Sequence, residues 1–380
     1  MSSKNHCLKG VLLIVLLAFS PLQANQPKHS SSLKNVSQNL FNIGTAVGIH
    51  TFRFQDTLTL NLIKNQFNTI TPENSLKWEK IHPGPGVYRF EPADTIIHFA
   101  LENSMEIIGH TLVWHSQTPR WVFQDTSGNP ITRDGLLERL RDHIHTVVGR
   151  YKGKIHGWDV VNEAVDSRGL RMSPWKKIIG EDYIEIAFEY AHEADPEAEL
   201  YYNDYNMYEP KKVKAVIQMV KHLQKKGIPI HGIGLQAHWG LDNPDPDTLE
   251  ACIKAYSGTG LKLMFTEMDV SVLPFPSWGM GADIANRAEY QARMNPYSGG
   301  LPDSVQQVHS KMYSEFFRIF TKHHHQISRI TFWGAHDGLS WKNNWPIRGR
   351  TDYPLLFDRQ RLPKPPYDAV IKTILENKHK

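Results

Sequence analysis

Eight short apolar runs, separated by stretches with helical periodicity, set the strongest limit on how this chain can fold. The runs are Asn42–Gly48, Phe67–Thr71, Glu106–Trp114, Ile155–Val161, Glu199–Asn203, Gly232–Ala237, Lys262–Thr266 and Arg329–Trp333. Between them lie stretches such as Gly135–Arg150, Glu181–Ala194 and Lys211–Gly227, where apolar residues recur every three or four positions. Strands that alternate with helices pair in parallel, because a parallel pair needs a crossover long enough to hold a helix. Eight such units in 380 residues predict an α/β fold, a closed (β/α)8 TIM barrel ahead of an open sheet. No linker rich in Pro, Ser or Gly divides the chain, so one domain is expected over 38–380.

Two of the runs lead to a glutamate. Trp158-Asp159-Val160-Val161-Asn162-Glu163 ends on one, and Leu263-Met264-Phe265-Thr266-Glu267-Met268-Asp269 carries the other. A carboxylate leaving a buried strand cannot be satisfied by apolar neighbours and needs a polar pocket. In a parallel barrel such pockets are built at the carboxyl ends of the strands. Two carboxylates there suit a division into nucleophile and acid/base, the pair that glycoside hydrolysis requires. Ten tryptophans add flat apolar surface, on which sugar rings are among the ligands that stack.

The remaining signals narrow the class. Lys4 and Lys9, followed by an apolar run from Val11 to Phe19, read as a signal peptide over 1–24, cleaved after Ala24. That run is too short to span a membrane. The mature protein is expected to be periplasmic or secreted and off the membrane, with a mobile polar segment over 25–37. Cleavage would leave one cysteine, Cys252, so the fold must be held by core burial without an internal disulfide. A formal charge of +4 with no clustering excludes a nucleic-acid footprint. Twenty histidines invite a metal, but His323-His324-His325 reads as a solvated helix cap, and His143 and His145 point to different helix faces. With no His-Glu-x-x-His and no paired cysteines, neither a metal nor a cofactor is expected. The long irregular stretch from Ser271 to about Asp303 would follow strand seven and wall the substrate cleft. The expected state is a monomer.

Six segments then match one family in its order, each near the end of an expected strand. They are Thr71-Pro72-Glu73-Asn74-Ser75-Leu76-Lys77-Trp78, Gly109-His110-Thr111-Leu112-Val113-Trp114-His115-Ser116-Gln117, Trp158 to Glu163, Gln236-Ala237-His238, Phe265 to Asp269, and Thr331-Phe332-Trp333-Gly334. On these segments the chain resembles glycoside hydrolase family 10, the retaining endo-β-1,4-xylanases; Met268 stands where the family more often has Leu or Ile. The resemblance implies that Glu163 is the acid/base and Glu267 the nucleophile. It implies that Asn162 contacts the sugar 2-hydroxyl, and that His238 donates to Glu267 while Asp269 orients His238. It places Glu73, Asn74 and Lys77 on the second sugar of the non-reducing side, although a Glu-x-x-x-Lys spacing also suits a simple helix pair. His110, Trp114 and Gln236 would surround the attacked sugar, with Gln117 one sugar further out and Tyr205 on the leaving-group side. Trp333 and Trp341 would form an aromatic ceiling, and Trp341 and Lys77 would crowd C5, admitting xylose and rejecting glucose.

Xylan or xylo-oligosaccharide is therefore the expected substrate. The rivals are a β-1,4-glucanase or mixed-specificity β-glycanase, and a sugar-binding barrel without turnover.

Overall fold

Each of the eight apolar runs forms a strand. In chain order they are β1 Asn42–Val47, β2 Thr69–Pro72, β3 Glu106–Trp114, β4 Gly157–Asn162, β5 Glu199–Asp204, β6 Gly232–Leu235, β7 Lys262–Ser271 and β8 Ile327–Phe332. Every neighbouring pair is parallel, from β1–β2 round to β7–β8, and β8 pairs back onto β1. The sheet therefore closes as the expected (β/α)8 barrel. These relations come from a computed structural model that describes residues 31–166, 168–274 and 293–378. The signal peptide expected over 1–24, and the middle of the loop expected to wall the cleft, lie outside the described residues.

The differences from expectation are local. Phe67 reads as the start of β2, yet its N–H bonds to Ile63 O and it caps the helix Thr57–Gln66, so pairing begins only at Thr69. Ile155 likewise bonds back to Tyr151 O, and β4 starts at Gly157. The segment expected to be mobile through Ser37 is packed from Leu33 on. Leu33–Val36 is a short helix with Leu33 and Val36 in the core, and its apolar side chains outweigh the polar composition that suggested mobility.

The helices bury one face each. Arg133–Arg150 starts at Thr132, whose hydroxyl accepts from Gly135 N, and buries Leu136, Leu140, Ile144, Val147 and Val148 at helical spacing. Pro210–Lys225 ends just before Gly227, which takes the left-handed φ of +74° that closes a helix most cheaply as glycine. Asp303–Lys322 buries Tyr313, Phe316, Phe317 and Phe320, each ring contributing about 2 kcal/mol of burial.

Register shifts fall between β3 and β4 at His110/Val113, between β4 and β5 at Asp159/Val161, and between β7 and β8 at Leu263/Met264 and Phe265/Met268. Such irregularities re-aim side chains at the rim of a barrel. Beyond β6 a short strand, His238–Gly240, pairs with the extension of β7 and sets Asp269 opposite His238. Among the described residues no helix is long and apolar enough to cross a membrane.

Candidate active site

Glu267 and Asp269 lie two positions apart on β7 and so share a face. Both point at His238, which leaves β6 immediately after Ala237, a residue at φ +62°. His238 Nδ1 is 2.9 Å from Asp269 Oδ2, and its Nε2 is 3.2 Å from Glu267 Oε2. Asp269 Oδ2 also accepts from Trp341 Nε1 at 2.8 Å, and Lys342 Nζ lies 3.5 Å from Oδ1. The other oxygen of Glu267 accepts from Asn203 Nδ2 at 2.8 Å. Gly234 makes room for that amide, since a Cβ there would stand 2.5 Å from Asn203 Oδ1.

Glu163 directly follows β4 in the left-handed region, φ +57°, a conformation that costs a non-glycine residue on the order of 1 kcal/mol or more. Its N–H donates to Asn203 O at 2.9 Å. One carboxylate oxygen accepts from Trp114 Nε1 at 2.8 Å and the other from Gln236 Nε2 at 3.0 Å. Asn162 Nδ2 donates to Glu163 Oε1 at 3.4 Å, and its Oδ1 lies 2.9 Å from Asn203 Nδ2, the amide that also bonds Glu267, and 3.3 Å from Gln236 Nε2.

The rest of the expected site gathers around this centre. His110 on β3 is buried, with Nδ1 2.9 Å from Asp159 Oδ2, and its ring meets Trp333 edge-on at 5.2 Å. Lys77 lies over the Trp114 ring at 5.1 Å and donates to Asn74 Oδ1 at 3.1 Å. Glu73 through Lys77 form a turn, with Lys77 capping the short helix Trp78–Ile81, so the Glu-x-x-x-Lys spacing is not a helix pair. Trp341 packs 4.9 Å from His238 and 4.9 Å from Trp345. Tyr205 follows β5, and its hydroxyl accepts from Arg171 at 2.8 Å. Gln117 lies in the loop after β3, where its backbone carbonyl accepts from Glu79 N, in the helix Trp78–Ile81, at 2.9 Å.

A family model for Glycosyl hydrolase family 10 matches residues 32–373. The chain belongs to that family. Endo-1,4-beta-xylanase A of Xylanibacter ruminicola is 43% identical over 360 residues, 94% of this chain and 96% of that protein. Beta-1,4-xylanase of Dictyoglomus thermophilum is 42% identical over 369 residues, 95% of this chain and 97% of that one. A family 10 endoxylanase from a sugarcane soil metagenome superposes with a TM-score of 0.85 at 42% identity, covering 90% of this chain and 99% of its own. Xylanase XynB of Paenibacillus barcinonensis, complexed with a conduramine derivative, gives 0.81 at 37% identity, with 90% and 99% covered.

In this family 10 barrel the charges at the cleft follow from burial and its compensation. Burial works against a charge on His238, but Asp269 and Glu267 outweigh it and lift its pKa to about 9, so it is an imidazolium at neutral pH. Burial likewise pushes Glu267 up, yet the His238 bond and the fields of His110, His238 and Lys77 bring it below the ordinary carboxylate value. Asp269 is lowered too, because His238 and Lys342 outweigh its burial. Glu73 goes the other way: burial raises it more than Lys77 lowers it. Lys77 is lowered by burial, against the pull of Glu267, Glu73 and Glu163.

Sequence reasoning missed three residues here. Asp159 was legible as an acid inside a buried run. Asn203 is a polar residue at the end of a strand, legible only as such. Arg171 had no signal, because its place depends on the hairpin formed by Val165–Asp166 and Gly169–Leu170.

Proposed function

We infer that this protein is an endo-β-1,4-xylanase that cleaves internal xylosidic bonds by double displacement with retention. One observation carries the division of roles. Glu267 is bonded to a cationic imidazole and a buried amide, whereas the side-chain donors on Glu163 are the neutral N–H groups of Trp114, Gln236 and Asn162. A nucleophile must stay ionised, and the imidazolium favours that state. An acid/base must hold a proton, give it up and take another, which neutral donors permit.

In the first step Glu267 Oε attacks the anomeric carbon while Glu163 gives its proton to the departing glycosidic oxygen. The C–O bond to the leaving sugar breaks as the glycosyl ester to Glu267 forms. In the second step Glu163, now a carboxylate, takes a proton from water, whose oxygen attacks the anomeric carbon and expels Glu267. One water is consumed, and the two inversions restore the β configuration. Asn162, bonded to Glu163 and sharing Asn203 with Glu267, would meet the sugar 2-hydroxyl. Trp341 is pinned by its bond to Asp269, which favours a fixed wall beside C5 and hence xylose over glucose.

Proton NMR of xylohexaose hydrolysis, recorded before mutarotation, tests this reading. Early β-anomer supports it; early α-anomer contradicts retention. Cleavage of cellohexaose in preference would favour the glucanase, and binding without product the inactive barrel. We also propose that the protein is exported and cleaved after Ala24, on the strength of Lys4, Lys9 and the apolar run that follows. N-terminal sequencing of the mature protein checks this.

A further inference from the structure

Arg171 has no part in the nucleophile's hydrogen bonds, yet it reaches both Glu163 and the leaving-group side of the cleft. It is partly buried and follows the short hairpin, its N–H donating to Ala164 O at 2.8 Å. Its Nε donates to the backbone carbonyl of Glu163 at 3.0 Å, and its Nη2 donates to Tyr205 Oη at 2.8 Å. Tyr205 is held from its other side: its N–H donates to Asp204 Oδ1 at 2.8 Å, and Lys212 Nζ lies 3.8 Å from its ring centroid. Lys212 in turn is buried against Asp204 at 2.6 Å. One planar guanidinium thus spans the ends of β4 and β5.

We propose that Arg171 is a positioning residue for the acid/base half of the reaction, tying the backbone of Glu163 to the hydroxyl of Tyr205 so that proton donor and leaving-group side are set as one unit. The proposal rests on Glu163 being the acid/base. Glu163 is held in a left-handed conformation that its own sterics disfavour, so something outside the residue must stabilise it. Arg171 binds the carbonyl on that residue's far side. Without it, the bond on the carbonyl that helps hold this conformation is lost, and the carboxyl can swing away from Trp114 and Gln236. Proton transfer demands hydrogen-bond reach of the glycosidic oxygen. Attack by Glu267 does not, because none of its hydrogen bonds involves Arg171.

Geometry and charge make different predictions. The charged and titratable groups that act on Glu163 include Lys77 from the turn after β2, His115 after β3, Asp204 at the end of β5 and Arg171 itself. Arg171→Lys keeps the positive charge but cannot span two acceptors with one planar fork; Arg171→Gln loses both.

The test measures kcat/KM on two substrates, xylohexaose and 2,4-dinitrophenyl β-xylobioside, whose leaving group departs without a proton. Both variants are expected to lose on the order of 100-fold on xylohexaose, the scale of a misplaced catalytic group, and no more than about 5-fold on the aryl glycoside. Tyr205→Phe cuts one arm only. Its loss is expected to be smaller, and to add little to that of Arg171→Gln, because the two residues act as a unit. Equal losses on both substrates would mark Arg171 as merely structural and overturn the proposal. So would recovery in Arg171→Lys, which would point to charge, or full additivity with Tyr205→Phe. Glu163→Ala is measured beside them. If it fails to spare the aryl glycoside, the acid/base reading itself falls; if it spares it while the Arg171 variants do not, only the role of Arg171 falls.

Discussion

The surroundings of Glu267 and of Glu163 are built on different principles within one cleft. Glu267 is buried in a web of charge: His238 bonds it, Asp269 charges His238, and Lys342 and Trp341 hold Asp269. Glu163 is held by three neutral side-chain donors, by the ladder bond of its own N–H, and by Arg171 on its carbonyl. A group that must keep one charge through most of the cycle is surrounded by compensating ions. A group that must change charge twice is oriented by neutral side-chain donors and through its backbone. The lesson is that one cleft can fix two carboxylates by different means, one with ions and the other with neutral donors.

Removing each carboxylate sharpens this contrast most. Glu267→Ala is expected to lose on the order of 10⁵-fold or more in kcat on xylohexaose and dinitrophenyl xylobioside alike, the scale seen when a covalent nucleophile is deleted. Glu163→Ala should cost about 10²- to 10⁴-fold in kcat/KM on xylohexaose, the range for general acid catalysis, with little loss on the aryl substrate. Similar profiles for the two variants would erase the distinction.

His238→Gln removes the cation but leaves a donor. A charge-assisted bond is worth about 1.5–3 kcal/mol, so kcat/KM should fall roughly 10- to 150-fold on both substrates. The pH dependence carries a sign. With a folded pKa of about 9, above the ordinary 6.5, His238 stabilises the fold fully below pH 6.5, and that contribution is lost as pH rises through 9. Urea melts between pH 6 and 10 should therefore show an alkaline decline that is shallower in the variant; parallel curves would mean His238 is neutral.

A second histidine site, away from the cleft carboxylates, gives the smallest expected effect and the opposite sign. His82 and His143 lie 3.2 Å apart at their Nδ1 atoms, with His143 stacked on Trp78. Among the described residues no carboxylate bonds either ring, and burial lowers His82 to about 4 and pushes His143 well below its ordinary value. Stability should then fall as pH drops from 6.5 through 4, because the unfolded chain takes up protons that the fold refuses. His82→Asn should flatten that acid slope, as melting temperatures across this range will show.

The barrel was legible because the apolar runs and the intervening periodicity are local. Errors fell where a local apolar residue serves a neighbouring element, as Phe67 caps a helix and Leu33 packs under one. The two glutamates were legible as acids beside buried apolar runs, although β7 runs on to Ser271 rather than ending at Thr266, so Glu267 lies within its strand while Glu163 follows β4. Gln236 and His238 were reached through the motif, and the structure brings both to a carboxylate. Arg171 was beyond reach, since its two partners, Glu163 and Tyr205, come from different strands and meet it only after the hairpin has folded back.

The most direct test of the division between the two glutamates is to trap the intermediate. Incubation with 2,4-dinitrophenyl 2-deoxy-2-fluoro-β-xylobioside, followed by proteolysis and mass spectrometry, should find one fluoroxylobiosyl ester, on the peptide that carries Glu267. An ester on Glu163 would reverse the assignment, and release of dinitrophenol with no ester at any time point would contradict a covalent double displacement.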